Sequence, residues 1–71
     1  KMKIKNWFKL YDGMWEHTRT RASIKIRQVD RNLYKAYMFP AKSFQTIWIS
    51  VRPQTLKNAI TDAIRFMKTH P

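Results

Sequence analysis

No cysteine occurs in the 71 residues, so neither disulfides nor thiolate metal ligands stabilise the fold, and the redox compartment is unconstrained. Glycine appears once, at Gly13, which excludes a glycine-rich phosphate-binding loop. No run approaches the roughly 20 apolar residues needed to span a bilayer. The opening Lys1-Met2-Lys3-Ile4-Lys5 is too charged for the apolar segment of a signal peptide. A soluble, intracellular chain with no membrane partner is expected. Met2 reads either as a natural start or as an internal residue of a longer chain. Acidic residues are scarce too: Asp12, Glu16, Asp30 and Asp62 are the 4 present.

Against these scarcities stand 15 Lys plus Arg and a formal net charge of +11. Such an excess repels itself, and a polyanion relieves the repulsion. Phosphates are the commonest intracellular polyanion, and neutralising them releases condensed counterions. The 44% hydrophobic and 14% aromatic content is too rich for a disordered basic tail. The length suits one small domain over residues 1–71 with a modest core.

Tyr11-Asp12-Gly13-Met14 is a strong hairpin signal. Before it, Ile4, Phe8 and Leu10 share one parity and Lys3, Lys5, Trp7, Lys9 and Tyr11 the other, which predicts a strand with Phe8 and Leu10 inward. A two-residue loop would then set Leu10 opposite Trp15, Phe8 opposite His17 and Lys9 opposite Glu16. Ser23 to Val29 alternates again, with Ile24 and Ile26 on one side and Lys25 and Arg27 on the other. The change of parity after Trp15 requires a bulge or loop within Thr18–Ala22. Leu33–Phe39 is a further strand after the turn formers Asp30-Arg31-Asn32; Tyr34 and Tyr37 lie on its opposite faces, and only one of them can belong to the core. Thr46–Val51 predicts the last strand, with Ile47, Ile49 and Val51 inward and Thr46, Trp48 and Ser50 outward.

The period then changes. Leu56, Ala59, Ile60, Ala63, Ile64 and Met67 recur at steps of three and four, the apolar stripe of an amphipathic helix, with Pro53 suited to its first turn. The expected fold class is α+β: an antiparallel β-meander of four or five strands with one C-terminal α-helix packed on one face. The other sheet face is left uncovered. Strand parity gives it Lys3, Lys5, Trp7, Lys9, Lys25, Arg27 and Trp48. Aromatic platforms among cations suit unstacked bases, each stacked base contributing roughly 1–3 kcal/mol. Single-stranded DNA or RNA is therefore the expected partner, with no cofactor. Thr18-Arg19-Thr20-Arg21 could instead serve as an arm reading duplex DNA, with Arg19 and Arg21 on phosphates.

Catalysis is not expected. His17 and His70 lack acids or a second histidine at metal-ligand spacing; the predicted register turns His17 toward the core, and no carboxylate cluster exists for metal-assisted chemistry. Two structural readings stand beside the binding one. Trp7 and Trp48 could pack on each other or under a homodimer partner, and the basic surface could occupy an acidic protein partner, as a small phage-encoded inhibitor would.

Ile47-Trp48-Ile49-Ser50-Val51-Arg52-Pro53-Gln54 leading into Leu56-Lys57-Asn58-Ala59-Ile60 and Asp62-Ala63-Ile64-Arg65 resembles the positive cofactor four family of single-stranded-DNA-binding coactivators. The resemblance covers about the last third of the chain at residue level. It implies that a basic, aromatic sheet face takes up melted DNA, with Lys25-Ile26-Arg27 in that part, and that the domain dimerises through its helix, with Phe66 in the broad stripe. The acidic strand and glycine-rich loop expected of that family are absent.

Overall fold

In the computed structural model, which describes residues 4–42 and 45–71, five strands precede one helix: β1 (Trp7–Tyr11), β2 (Met14–His17), β3 (Ser23–Asp30), β4 (Leu33–Phe39), β5 (Ile47–Trp48) and α1 (Leu56–Thr69). The strands form one antiparallel sheet in the order β1-β2-β3-β4-β5. This is the α+β meander with a C-terminal helix that the sequence predicts. Helix α1 packs on β3 and β4.

Small side chains let it approach. Ala59 and Ala63 of α1 and Ala36 of β4 are fully buried, as are Ile24 and Met67. Trp7, Trp15 and Ala22 complete the buried cluster, and Ile4, Ile26, Met38, Ile49, Ile60, Ile64 and Phe66 pack against it. The helix starts later than Pro53 suggests: Thr55 is its N-cap, with Oγ1 accepting from the Asn58 amide at 3.2 Å, which satisfies one of the unpaired donors of the first turn.

The first hairpin corrects the predicted register. Asp12-Gly13 forms the loop, with Gly13 at φ 89°, a left-handed conformation that suits glycine. Leu10, however, is an extra residue in β1: Lys9 faces Trp15 and Tyr11 faces Met14. A single bulged residue reverses the facing of everything before it. Trp7 now lies opposite His17 and Phe8 opposite Glu16. Trp7 is buried, while Phe8 and Leu10, expected inside, are exposed. The larger aromatic takes the helix side, and its Nε1 donates to the His70 carbonyl at 2.9 Å, tying β1 to the end of α1.

The expected Lys9–Glu16 pair is absent. Lys9 follows Trp7 onto the helix side at the outer edge of the sheet, where its Nζ lies 2.8 Å from Asp12. Its ammonium holds the Asp12 carboxyl below the usual carboxylate range, by hydrogen bond first and charge second.

The last strand is shorter than predicted. Only Ile47 and Trp48 pair regularly with β4, because the amides of both Ile49 and Ser50 donate to one carbonyl, that of Ala36, at 2.9 and 3.1 Å. This two-against-one bulge turns Ser50 inward and Val51 outward. Ser50, expected outside, is 1% exposed, and Val51, expected inside, is 91% exposed. Ile47, also expected inside, is exposed at the sheet edge.

The buried Ser50 links sheet to helix. Its Oγ accepts from the Ala36 amide at 2.9 Å and donates to Asp62 Oδ2 at 3.1 Å. Gln54 Nε2 donates to both Ser50 Oγ and Asp62 Oδ2. Replacing Ser50 by alanine leaves the Ala36 amide unpaired in the core, a loss of about 1–3 kcal/mol. Thermal unfolding followed by circular dichroism should register a midpoint lower by roughly 5–15 °C; an unchanged midpoint would mean that the network contributes nothing net.

Candidate functional site

Directly opposed residues in antiparallel strands share a face, so the pairing defines what the face away from α1 carries. One row crosses all five strands: Tyr11 faces Met14, Met14 faces Lys25, Lys25 faces Tyr37 and Tyr37 faces Trp48. On one side of it lies the row Phe8, Glu16, Ser23, Phe39, and on the other the pair Arg27 and Lys35.

The aromatic residues are not equivalent. Tyr37 is 3% exposed although no helix covers it. Its neighbours bury it: the Trp48 ring at 4.9 Å, the Phe39 ring at 5.3 Å and the Arg27 guanidinium at 5.1 Å from its centroid. Tyr37 thus resolves the choice between the two tyrosines unexpectedly, since Tyr34 on the helix side is only half-buried. Trp48 and Tyr11, at opposite ends of the row, are each 55% exposed. Lys35 Nζ sits 4.1 Å from the Trp48 ring centroid, a cation–π geometry.

The cations of this face lack carboxylate partners among the described residues. Asp12 is held by Lys9, Glu16 by Arg21 and Asp62 by Arg65. Asp30 Oδ1 accepts from the Arg31 amide at 2.7 Å. Lys25 and Lys35 are half-buried and Arg27 exposed, so their charge reaches solvent uncompensated across the middle of the face.

Of the residues that parity assigns to this surface, Lys25, Arg27 and Trp48 lie on it together. Trp7 does not: it is a core residue with an edge-on ring contact to His17 at 4.9 Å. Lys9 lies on the opposite face, Lys5 is exposed in the turn before β1, and Lys3 falls outside the described residues. Arg19 and Arg21 lie on a tight turn. There His17 Nδ1 accepts from the Arg19 and Thr20 amides, both at 3.1 Å, and Arg21, at φ 64°, folds its guanidinium back onto Glu16. His17 is buried and closes this turn; His70 Nδ1 lies 2.9 Å from the Phe66 carbonyl.

Alternation alone leaves Tyr37 undecided against Tyr34 and does not single out Lys35 and Phe39, although a signal for all three is present. In Leu33–Phe39 the one small residue is Ala36, and a small residue is needed under the alanines of the helix. Placing Ala36 there sends Lys35 and Tyr37 to the other face. Tyr11 keeps the outward facing that its parity gives it, because the Leu10 bulge reverses only the residues before it, among them Phe8.

Among the described residues no group of three or more His, Asp or Glu side chains could hold a metal ion. A shallow cleft of about 260 Å³ lies between Ile49 and the helix residues Asp62, Arg65, Phe66 and Thr69, outside the open face. No helix is long and apolar enough to cross a membrane. No family model, curated protein or solved structure matches the chain.

Proposed function

We propose that this protein binds single-stranded nucleic acid through its open sheet face and catalyses no reaction. One observation carries the reading: two exposed aromatic rings, Trp48 and Tyr11, share a face with Lys25, Arg27 and Lys35, none of which pairs with a carboxylate among the described residues. Large rings left in water are positioned for base stacking, and uncompensated cations for phosphate. Single strands are favoured over duplex because the face is a sheet surface and not a protruding element that enters a groove. The turn offered as a duplex-reading arm is folded back through Arg21 onto Glu16.

The test is a fluorescence titration against matched single- and double-stranded DNA and RNA over a range of salt. Trp7 and Trp15 are buried and Trp48 is exposed, so quenching by bound bases reports Trp48. The Trp48→Ala variant, followed by fluorescence of a labelled oligonucleotide, should bind single strands roughly tenfold more weakly at every salt concentration. Equal affinity of wild type and variant would remove stacking from the mechanism. Retention of a protein partner after nuclease treatment, with no nucleic acid bound in the titration, would replace the whole reading with that of an acidic protein partner.

A further inference from the structure

Resting on that reading, we infer that the bound strand crosses the sheet perpendicular to the β-strands, its bases along the row from Trp48 to Tyr11 and its phosphates on the Arg27–Lys35 side. The two exposed rings mark the ends of one row that passes over every strand of the sheet. Four interstrand spacings separate them, about 19 Å. Stacked bases stand about 3.4 Å apart along a strand and splayed ones at roughly twice that, so about four nucleotides span the row.

The two sides of the row differ in charge, which orients the backbone. Two residues along β3 and β4 from Lys25 and Tyr37, Arg27 and Lys35 offer two cations side by side. The opposite side carries Phe8, Ser23, Phe39 and the carboxylate of Glu16. Phosphates placed over Glu16 would meet a carboxylate already paired with Arg21 and so no net attraction, whereas over Arg27 and Lys35 they meet two cations without carboxylate partners among the described residues.

Lys35 couples the two contacts. In the free protein its ammonium rests on the Trp48 ring, so a base that stacks on that side of the ring displaces it toward solvent, where the phosphates of the same strand lie. Stacking at Trp48 and charge neutralisation by Lys35 then occur together.

A length series of homothymidine and homouridine oligonucleotides, from dinucleotide to octanucleotide, tests the crossing. Binding is read by anisotropy of labelled strands for the wild type and for Trp48→Ala and Tyr11→Ala. Wild-type affinity should climb steeply to about four nucleotides and then level off. Trp48→Ala should weaken every length. Tyr11→Ala should leave the dinucleotide unchanged and weaken the tetranucleotide and longer strands roughly tenfold. Both side chains are exposed, and circular dichroism checks that each variant is folded.

If Trp48→Ala weakens the octanucleotide and Tyr11→Ala does not, the crossing is overturned while single-strand binding stands. Affinity that rises uniformly to the octanucleotide overturns it too. Absence of binding to every oligonucleotide by the wild type overturns the proposed function itself.

Discussion

Replacing Trp7 by alanine should remove about a third or more of the stability of the protein and lower its melting temperature sharply. The side chain is 7% exposed within the core cluster, and its indole nitrogen bonds His70 across 63 positions of sequence. Truncating a buried tryptophan costs about 3–5 kcal/mol. A chain of 71 residues at roughly 0.05–0.15 kcal/mol per residue has only about 4–11 kcal/mol to lose. The thermal midpoint should fall by roughly 15 °C or more. Trp7→Phe keeps a ring against His17 and should cost less, losing the hydrogen bond, about 1 kcal/mol, and the part of the indole that Phe does not replace. A Trp7→Ala variant that melted like the wild type but failed to bind oligonucleotides would place Trp7 on the binding face and refute the core assignment.

That contrast between Trp7 and Trp48 shows where the sequence was legible. The strands β1 to β4 and the helix follow from alternation, turn formers and a change of period, and the stripe Ala59, Ala63, Met67 is buried as its spacing implies. Lys25 and Arg27 lie on the face their parity assigns. What parity cannot supply is a bulge. Leu10 adds one residue to β1 and inverts the facing of Trp7 and Phe8, and nothing local in Trp7–Tyr11 encodes it: the choice comes from burying an indole against α1, a partner some sixty residues away.

The second bulge has the same character. Ile49 and Ser50 share the Ala36 carbonyl because Ser50 finds Asp62 and Gln54 beneath the sheet. Alternation of Ile47, Ile49 and Val51 promised an apolar strand, and a buried polar network overrode it. In both places a long-range contact outweighed a local pattern. The open face was therefore legible as a surface, as a basic one and as the side of Tyr11 and Trp48, while Phe8, Tyr37 and Phe39 had to wait for the register.

Substituting Lys25, Arg27 and Lys35 together by glutamine should be the most damaging change to binding that leaves the fold intact. Each phosphate neutralised on a single strand contributes about 0.7 to the slope of log affinity against log salt. The triple variant should therefore lower that slope by about 2 and weaken binding on the order of a hundredfold at 0.1 M salt. Stability should change little. The net charge falls from +11 to +8, relieving self-repulsion, against the loss of the Lys35–Trp48 and Arg27–Tyr37 contacts, about 0.5–2 kcal/mol each, the larger value for the one on buried Tyr37. The decisive comparison is a second triple variant, Arg52→Gln, Lys57→Gln and Lys68→Gln, whose residues are exposed outside the sheet. It removes the same charge and should leave the slope close to that of the wild type. Equal losses in the two variants would show that affinity follows total charge and that the open face has no special part in it.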